Sequence, residues 1–300
     1  MAAGCLLCPR KCGAGRPETL ADGELSGICA SPRQPVVARA GLHHWEEPVI
    51  SGEHGSGAVF FTGCNLHCVF CQNHDISSSP AGKQISISRL REIYFELVAQ
   101  GAHNINLVTP THFTEAILAS LEGGVPVPVV WNSNGYESVE TLQKLKGKVQ
   151  IFLPDLKYAD NALALRYSRT KDYFERTGEA IFEMYSQTGP WQLDKNGMLL
   201  SGVVIRHLIL PGCVENSKRV IDFVAENFKP GEVFFSLMRQ YLPCGKVSET
   251  CFPELNRRVT DPEYQEVEDY LFDSGIEDGF VQDAESASCD FIPHFDGSGV

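Results

Sequence analysis

Six apolar runs of strand length alternate with helical stretches along a chain of 300 residues that is 43% hydrophobic, and this alternation predicts an α/β fold closing as a partial (β/α)6 TIM-like barrel. Strands joined through helices pair in parallel with right-handed crossovers, as such a barrel needs. A second observation adds a small N-terminal cysteine-rich, metal-binding segment. Cys5, Cys8, Cys12 and Cys29 lie in a short, Pro- and Gly-rich stretch that could hardly fold without a staple. The expected division is 1–56 for this segment and a linker, 57–245 for the barrel, and 246–300 for a C-terminal helix and tail packing on it.

The first barrel strand is the apolar, partly β-branched run 58–62. In 86–100, Ile87, Leu90, Ile93, Tyr94 and Leu97 recur at three- and four-residue spacing behind a capping Ser86 or Ser88, which predicts an amphipathic helix. Further strands are expected at 104–108, 127–131, 149–153, 203–210 and 233–237. Their helices are expected at 114–121, 138–146, 161 to about 186, and 217–227. Residues 36–57 read as a linker holding an irregular polar loop, His43-His44-Trp45-Glu46-Glu47, closed by Pro48. The sharper reading of that loop is a carboxylate pair facing a substrate. Residues 262–272 read as a helix, and the tail from Phe291 to Val300 as a surface segment.

The chemistry gathers directly after the first strand, where Cys64, Cys68 and Cys71 are spaced Cys-x3-Cys-x2-Cys in one short loop. Thiolates select zinc, copper(I) or iron-sulfur clusters, and zinc and ordinary cluster sites usually take four ligands. Three with no evident fourth imply a coordination position left open. In a [4Fe-4S] cubane, three irons would take the cysteines and the fourth could bind a small molecule. The plainer alternatives are a zinc loop, or buried cysteines that are neighbours by chance. The N-terminal quartet, with its Cys-x2-Cys pair, can complete a closed tetrahedral site for zinc or an auxiliary cluster, structural or relaying electrons. Cys213, Cys244, Cys251 and Cys289 are left as structural residues.

A net charge of −13 excludes a nucleic-acid backbone as partner, which needs clustered Lys and Arg, and fits a soluble chain. No apolar run approaches the ~20 residues of a membrane span, and no secretory signal precedes Cys5. Eleven cysteines without an export signal point to metal rather than disulfides, and so to a reducing cytoplasm.

Barrel enzymes carry their chemistry at the carboxyl ends of the strands. Here those ends read Thr109-Pro110-Thr111-His112, Asn132-Ser133-Asn134-Gly135-Tyr136, Pro154-Asp155-Leu156-Lys157-Tyr158, Arg206-His207 and Met238-Arg239-Gln240-Tyr241. Asp155 and Lys157 put opposite charges at a strand mouth, as a ligand clamp or a structural ion pair. His207, inside an apolar run, reads either as a cofactor contact or as a hydrogen-bonded core histidine.

The three-cysteine loop resembles the signature of the radical S-adenosylmethionine (SAM) superfamily. The resemblance implies the barrel fold, a [4Fe-4S] cluster whose fourth iron chelates SAM, and Phe70 near the adenine. One electron from the reduced cluster would then cleave SAM to methionine and a 5′-deoxyadenosyl radical for hydrogen abstraction. The stretches 42–48, 104–113, 132–136, 153–158 and 206–212 further resemble PflX-type proteins, akin to pyruvate formate-lyase activating enzymes. That resemblance runs from Cys5 to about Gln282 and implies a glycyl radical enzyme as partner and a flavodoxin or ferredoxin as electron donor. Asp155 and Lys157 match an element that helps hold SAM in glycyl-radical-enzyme activases. Thr109-Pro110-Thr111 stands where many radical SAM enzymes have Gly-Gly-Glu, so Thr109, with Asn134 and His207, completes the expected SAM contacts. Two alternatives to activation of a partner remain: modification of a small molecule or another protein site, and a metal-binding scaffold without catalysis.

Overall fold

The computed structural model of the chain describes residues 4–79, 81–288 and 291–300, so Cys289 lies outside the described residues. Among these residues ten strands are joined by pairing: β1 Val36–His43, β2 Ser56–Phe61, β3 Lys83–Gln84, β4 Ile105–Val108, β5 Val129–Ser133, β6 Ile151–Pro154, β7 Gln192–Leu193, β8 Leu199–Leu208, β9 Phe234–Met238 and β10 Gly279–Val281. The order is β10-β9-β8-β6-β5-β4-β2-β1-β3, with β7 beside β8, and the path is open at β10 and β3. From β2 through β4, β5, β6, β8 and β9 to β10, every pairing is parallel. These include the six expected strands, with shifted ends.

Parallel strands buried on both faces read as continuous apolar runs, and β2, β4, β5 and β6 are buried at every position. Their crossovers include the helix Ile87–Ala99, which is capped by the Ser86 side chain accepting from the Arg89 amide and buries Leu90, Ile93, Tyr94 and Leu97. Ile87 is exposed instead of joining that face. The helix expected from 161 to about 186 is two, Asn161–Ser168 and Tyr173–Thr188, because Arg169 turns left-handed at φ 53°. Helix Asp261–Asp273 starts with a capping box between Thr260 and Glu263 and packs on Val214–Asn227.

Three expectations at the margins need correction. Residues 36–57 are more than a linker, since Val36 and Val37 are fully buried and β1 lies antiparallel to both β2 and β3. Pro48 does not close the polar loop but opens a helix, Pro48–Ser51, at the position where its missing N–H costs nothing. The tail is not a free surface segment: the Gly297 amide donates to the Ala38 carbonyl at 2.9 Å, and the Ala40 amide to the Ser298 carbonyl at 3.0 Å. Phe295 packs with Ala38, Ala58 and Phe60. Gly299 lies so close to the Ala40 carbonyl that a Cβ there would collide with it. Among the described residues, no helix is long and apolar enough to cross a membrane.

Candidate functional site

Parallel pairing puts the carboxyl ends of β2, β4, β5 and β6 on one side, and a single cavity opens there. Its wall includes Cys64, Cys68 and Cys71, together with Phe70, Thr109, Asn134, Asp155 and Lys157. The cysteine loop owes its course to local geometry. Gly63, at φ 80°, takes a left-handed turn and donates its amide to the Ile76 carbonyl at 2.8 Å, while His67 turns left-handed at φ 58°. Donors already aim at two sulfurs: the Leu66 amide and Asn134 Nδ2 lie 3.3 and 3.4 Å from Cys64 Sγ, and Ser168 Oγ is 3.2 Å from Cys68 Sγ. Burial pushes the Cys71 thiol up to about 12, and the neighbouring Cys68 and Cys64 push it the same way. Cys64 is buried and Cys68 and Cys71 are half-buried; to bind together as thiolates they would need positive charge between them, which is what a metal centre supplies.

Opposite the loop, Asp155 accepts from Lys157 Nζ at 2.6 Å and from Arg206 Nε at 2.9 Å, and Arg206 Nη1 reaches Glu46 at 3.0 Å. Asn106 and Asn132 donate to the other Glu46 oxygen. Burial alone would raise the Asp155 pKa, but Arg206 and Lys157 outweigh it and hold the carboxyl below the usual carboxylate range. Burial opposes the Lys157 charge too, yet Asp155 raises the ammonium pKa above its ordinary value. Residues 44–47 do form an irregular loop, but not an ordinary solvated one: Glu46 and Trp45 line the cavity, and Glu47 is buried. Nothing in residue type distinguished Glu46 from a solvated loop glutamate; Arg206, Asn106 and Asn132, all distant along the chain, make it part of the site.

Thr109 is a β-branched residue held left-handed at φ 59°, a costly conformation, with its amide donating to the Asn132 carbonyl at 2.8 Å. Phe70 packs its ring near Tyr167 and Tyr241. Cys244 Sγ donates to the Phe70 carbonyl at 3.2 Å, so that cysteine braces the loop.

His207 must be withdrawn from the expected SAM contacts. It is fully buried, its Nδ1 bonded to the Leu156 carbonyl at 2.7 Å and its Nε2 to Ser217 Oγ at 2.8 Å, so both nitrogens are spent in the core. Burial lowers its pKa to about 4. The folded protein thus holds this base neutral, and its contribution to stability is present above the ordinary value of about 6.5 and lost as pH falls toward 4, by about 3 kcal/mol in total. Urea unfolding at pH 7 and pH 4.5 should show His207→Gln to have the shallower pH dependence; an equal dependence would remove His207 as a cause. His112 is likewise buried away from the cavity, with Nε2 on the Thr62 carbonyl. Beneath it, Glu137 accepts from Thr111 Oγ1 and Trp131 Nε1, and burial raises its pKa to about 7.

The N-terminal cysteines come within electrostatic reach of one another. Burial pushes the Cys8 thiol up to about 12, with Cys29 and Cys5 adding to it, and Cys29 is raised by burial and then by Cys5 and Cys12. Among the described residues, no three His, Cys, Asp or Glu side chains converge tightly enough to hold a single metal ion. A cluster, which takes each thiolate on a separate iron, needs a wider ring of sulfurs.

No protein-family model matches the chain. The Methanocaldococcus jannaschii protein MJ0674, described as uncharacterized, is 32% identical over 279 residues, covering 89% of this chain and 73% of its own. Among solved structures, Streptococcus suis SuiB bound to precursor peptide SuiA matches with a TM-score of 0.50 at 12% identity, over 74% of this chain and 47% of SuiB. HydG, a maturase of the [FeFe]-hydrogenase, matches with a TM-score of 0.50 at 14% identity, over 73% of this chain and 49% of HydG. The chain spans about half the length of these two structures, and the likeness is one of fold. The chain therefore belongs to the family of MJ0674 and shares its fold with SuiB and HydG.

Proposed function

We propose that the protein is a radical SAM enzyme in which Cys64, Cys68 and Cys71 hold a [4Fe-4S] cluster and SAM lies beside it. The observation that carries this reading is that three thiols of one loop share a cavity wall with the fixed charges of Asp155 and Lys157. When bound, the cluster supplies the one electron that cleaves the SAM sulfonium and releases a 5′-deoxyadenosyl radical. The chain does the rest by orientation and exclusion of water. Asn134, fixed by bonds to Asn65 Oδ1 and the Tyr136 amide, offers its amide to Cys64. Phe70 presents an apolar ring at the cavity wall, and Thr109 offers hydroxyl and carbonyl oxygens for the SAM amino group. Lys157 and Asp155, locked in one network with Arg206 and Glu46, present charges that need no reorganisation.

The substrate assigned on the resemblance is a glycine Cα–H of a glycyl radical enzyme, with a flavodoxin or ferredoxin as electron donor. The N-terminal quartet is assigned as a second metal site, zinc or iron-sulfur. Anaerobic reconstitution with iron and sulfide, followed by dithionite and SAM, should yield 5′-deoxyadenosine. A stable radical on a candidate partner protein, in amount matching the nucleoside, supports the activase. Nucleoside that depends on a metabolite and leaves no protein radical supports small-molecule modification instead. Zinc in both sites and no SAM binding would sink the enzyme reading in favour of a scaffold.

A further inference from the structure

The residues flanking the N-terminal cysteines are the ones that hold the back of the cluster loop. Arg10, between Cys8 and Cys12, donates Nε to the Asn65 carbonyl at 3.0 Å and Nη2 to the Leu66 carbonyl at 3.3 Å. The same guanidinium reaches the Ser168 carbonyl at 2.9 Å, tying in the segment whose hydroxyl donates to Cys68 Sγ. Ile28, beside Cys29, offers its carbonyl to His67 Nε2 at 2.6 Å. A Cβ on Gly63 would fall on the Cys29 carbonyl and Ser31 Oγ, so the two segments touch directly before Cys64. Every residue from Gly63 to His67 except Cys64 itself is thus gripped from the N-terminal module.

That module is tied to the rest of the chain by Arg16 on the His112 carbonyl and by Thr141 Oγ1 on the Leu7 carbonyl, but it has no regular structure of its own. No helix or strand is formed between residues 4 and 35, and Leu6 and Ile28 are exposed. Its turns are built around the cysteines: the Cys5 amide bonds the Ala14 carbonyl, the Gly13 amide returns to the Cys5 carbonyl, and the Lys11 amide closes on the Cys8 carbonyl at 3.0 Å. Gly27 leaves the room that brings Cys12 Sγ against it. A grip made of backbone carbonyls and one guanidinium is only as firm as the turns that present it, and in this module those turns have four thiols and no apolar core.

We propose that Cys5, Cys8, Cys12 and Cys29 bind a second iron-sulfur cluster, whose occupancy clamps residues 63–67 through Arg10, Ile28 and Cys29. The role assigned to the clamped loop rests on the cluster reading above. The metal site is the one assigned above, and the clamp stands on these contacts. Arg10 is a positioning residue: its amide bonds the Cys8 sulfur, while its side chain lies outside the cavity and acts on the loop backbone.

The test uses the full chain. A Cys64→Ser/Cys68→Ser/Cys71→Ser variant, which cannot hold the loop cluster, should retain about four irons and matching sulfide per chain. Retention of neither overturns the metal site without touching the loop assignment. Cys8→Ser/Cys12→Ser should lose that metal and show amide hydrogen exchange at residues 65–67 at least about tenfold faster. Arg10→Gln should keep the metal yet show the same loosening, since about tenfold is what losing 1.4 kcal/mol of hydrogen bonding produces. Arg10→Gln also controls for a quartet variant that simply misfolds. Unchanged exchange at 65–67 in Arg10→Gln overturns the clamp.

Discussion

Cys64→Ala should abolish reductive cleavage of SAM, taking 5′-deoxyadenosine formation at least about 1,000-fold below the unaltered protein, a loss of roughly 4 kcal/mol in transition-state stabilisation. The reasoning is structural. Cys64 is nearly buried, and its sulfur is met by the Leu66 amide at 3.3 Å and by Asn134 Nδ2 at 3.4 Å. No other cysteine stands in the loop to take over its position, and two thiolates leave two irons uncapped. Iron content and SAM binding measured on the same sample separate a lost cluster from a loaded but silent one. Normal nucleoside formation by Cys64→Ala would falsify the cluster assignment.

Asp155→Asn should destabilise the protein by about 3–5 kcal/mol, because it leaves Lys157 and Arg206 without their shared counter-charge in a site where each is largely shielded from water. Removing one member of a buried ion network exposes the desolvation cost of the others: Arg206 keeps Glu46, while Lys157 loses its carboxylate partner. Urea unfolding of the metal-free protein at pH 7 measures this directly. Lys157→Met combined with Asp155→Asn should recover part of the loss, and a single-variant loss under about 1 kcal/mol would show the network to be marginal. The pH dependence has a definite sign. Asp155 is held below its ordinary pKa, so its stabilisation is present at neutral pH and lost only as pH falls below the usual carboxylate range. Wild-type acid unfolding should therefore begin earlier, in the window between 6.5 and 4 where buried His207 must take up a proton.

How much of the site was legible in the sequence depends on whether its members are neighbours along the chain. Cys64, Cys68 and Cys71 share one loop, and Asp155 and Lys157 one strand end, so local spacing brought them forward, while Phe70 came from the family resemblance; all six line one cavity. Glu46 was set aside as a loop residue because its partner Arg206 comes from β8. His207 failed for the opposite reason. Its local pattern is the same whether it faces a cavity or the core, and only the Leu156 carbonyl and Ser217 hydroxyl, from two other elements, decide for the core. The tail escaped because polar, Gly-containing residues carry no strand signal, while their amides pair with β1 through backbone groups that every residue possesses.

The sequence by itself determined the alternation of buried strands and helices, the three-thiol loop at the end of β2 and the charged pair at the end of β6, because apolar period and ligand spacing are properties of adjacent residues. Only the tertiary structure decided that β1 lies beside β2 with the C-terminal tail bonded to β1, that Glu46 joins Asp155 through Arg206, and that the N-terminal cysteines stand behind the loop of Cys64, Cys68 and Cys71. Each of these rests on contacts between residues far apart in the chain, made by backbone groups or by long charged side chains whose direction no local pattern encodes.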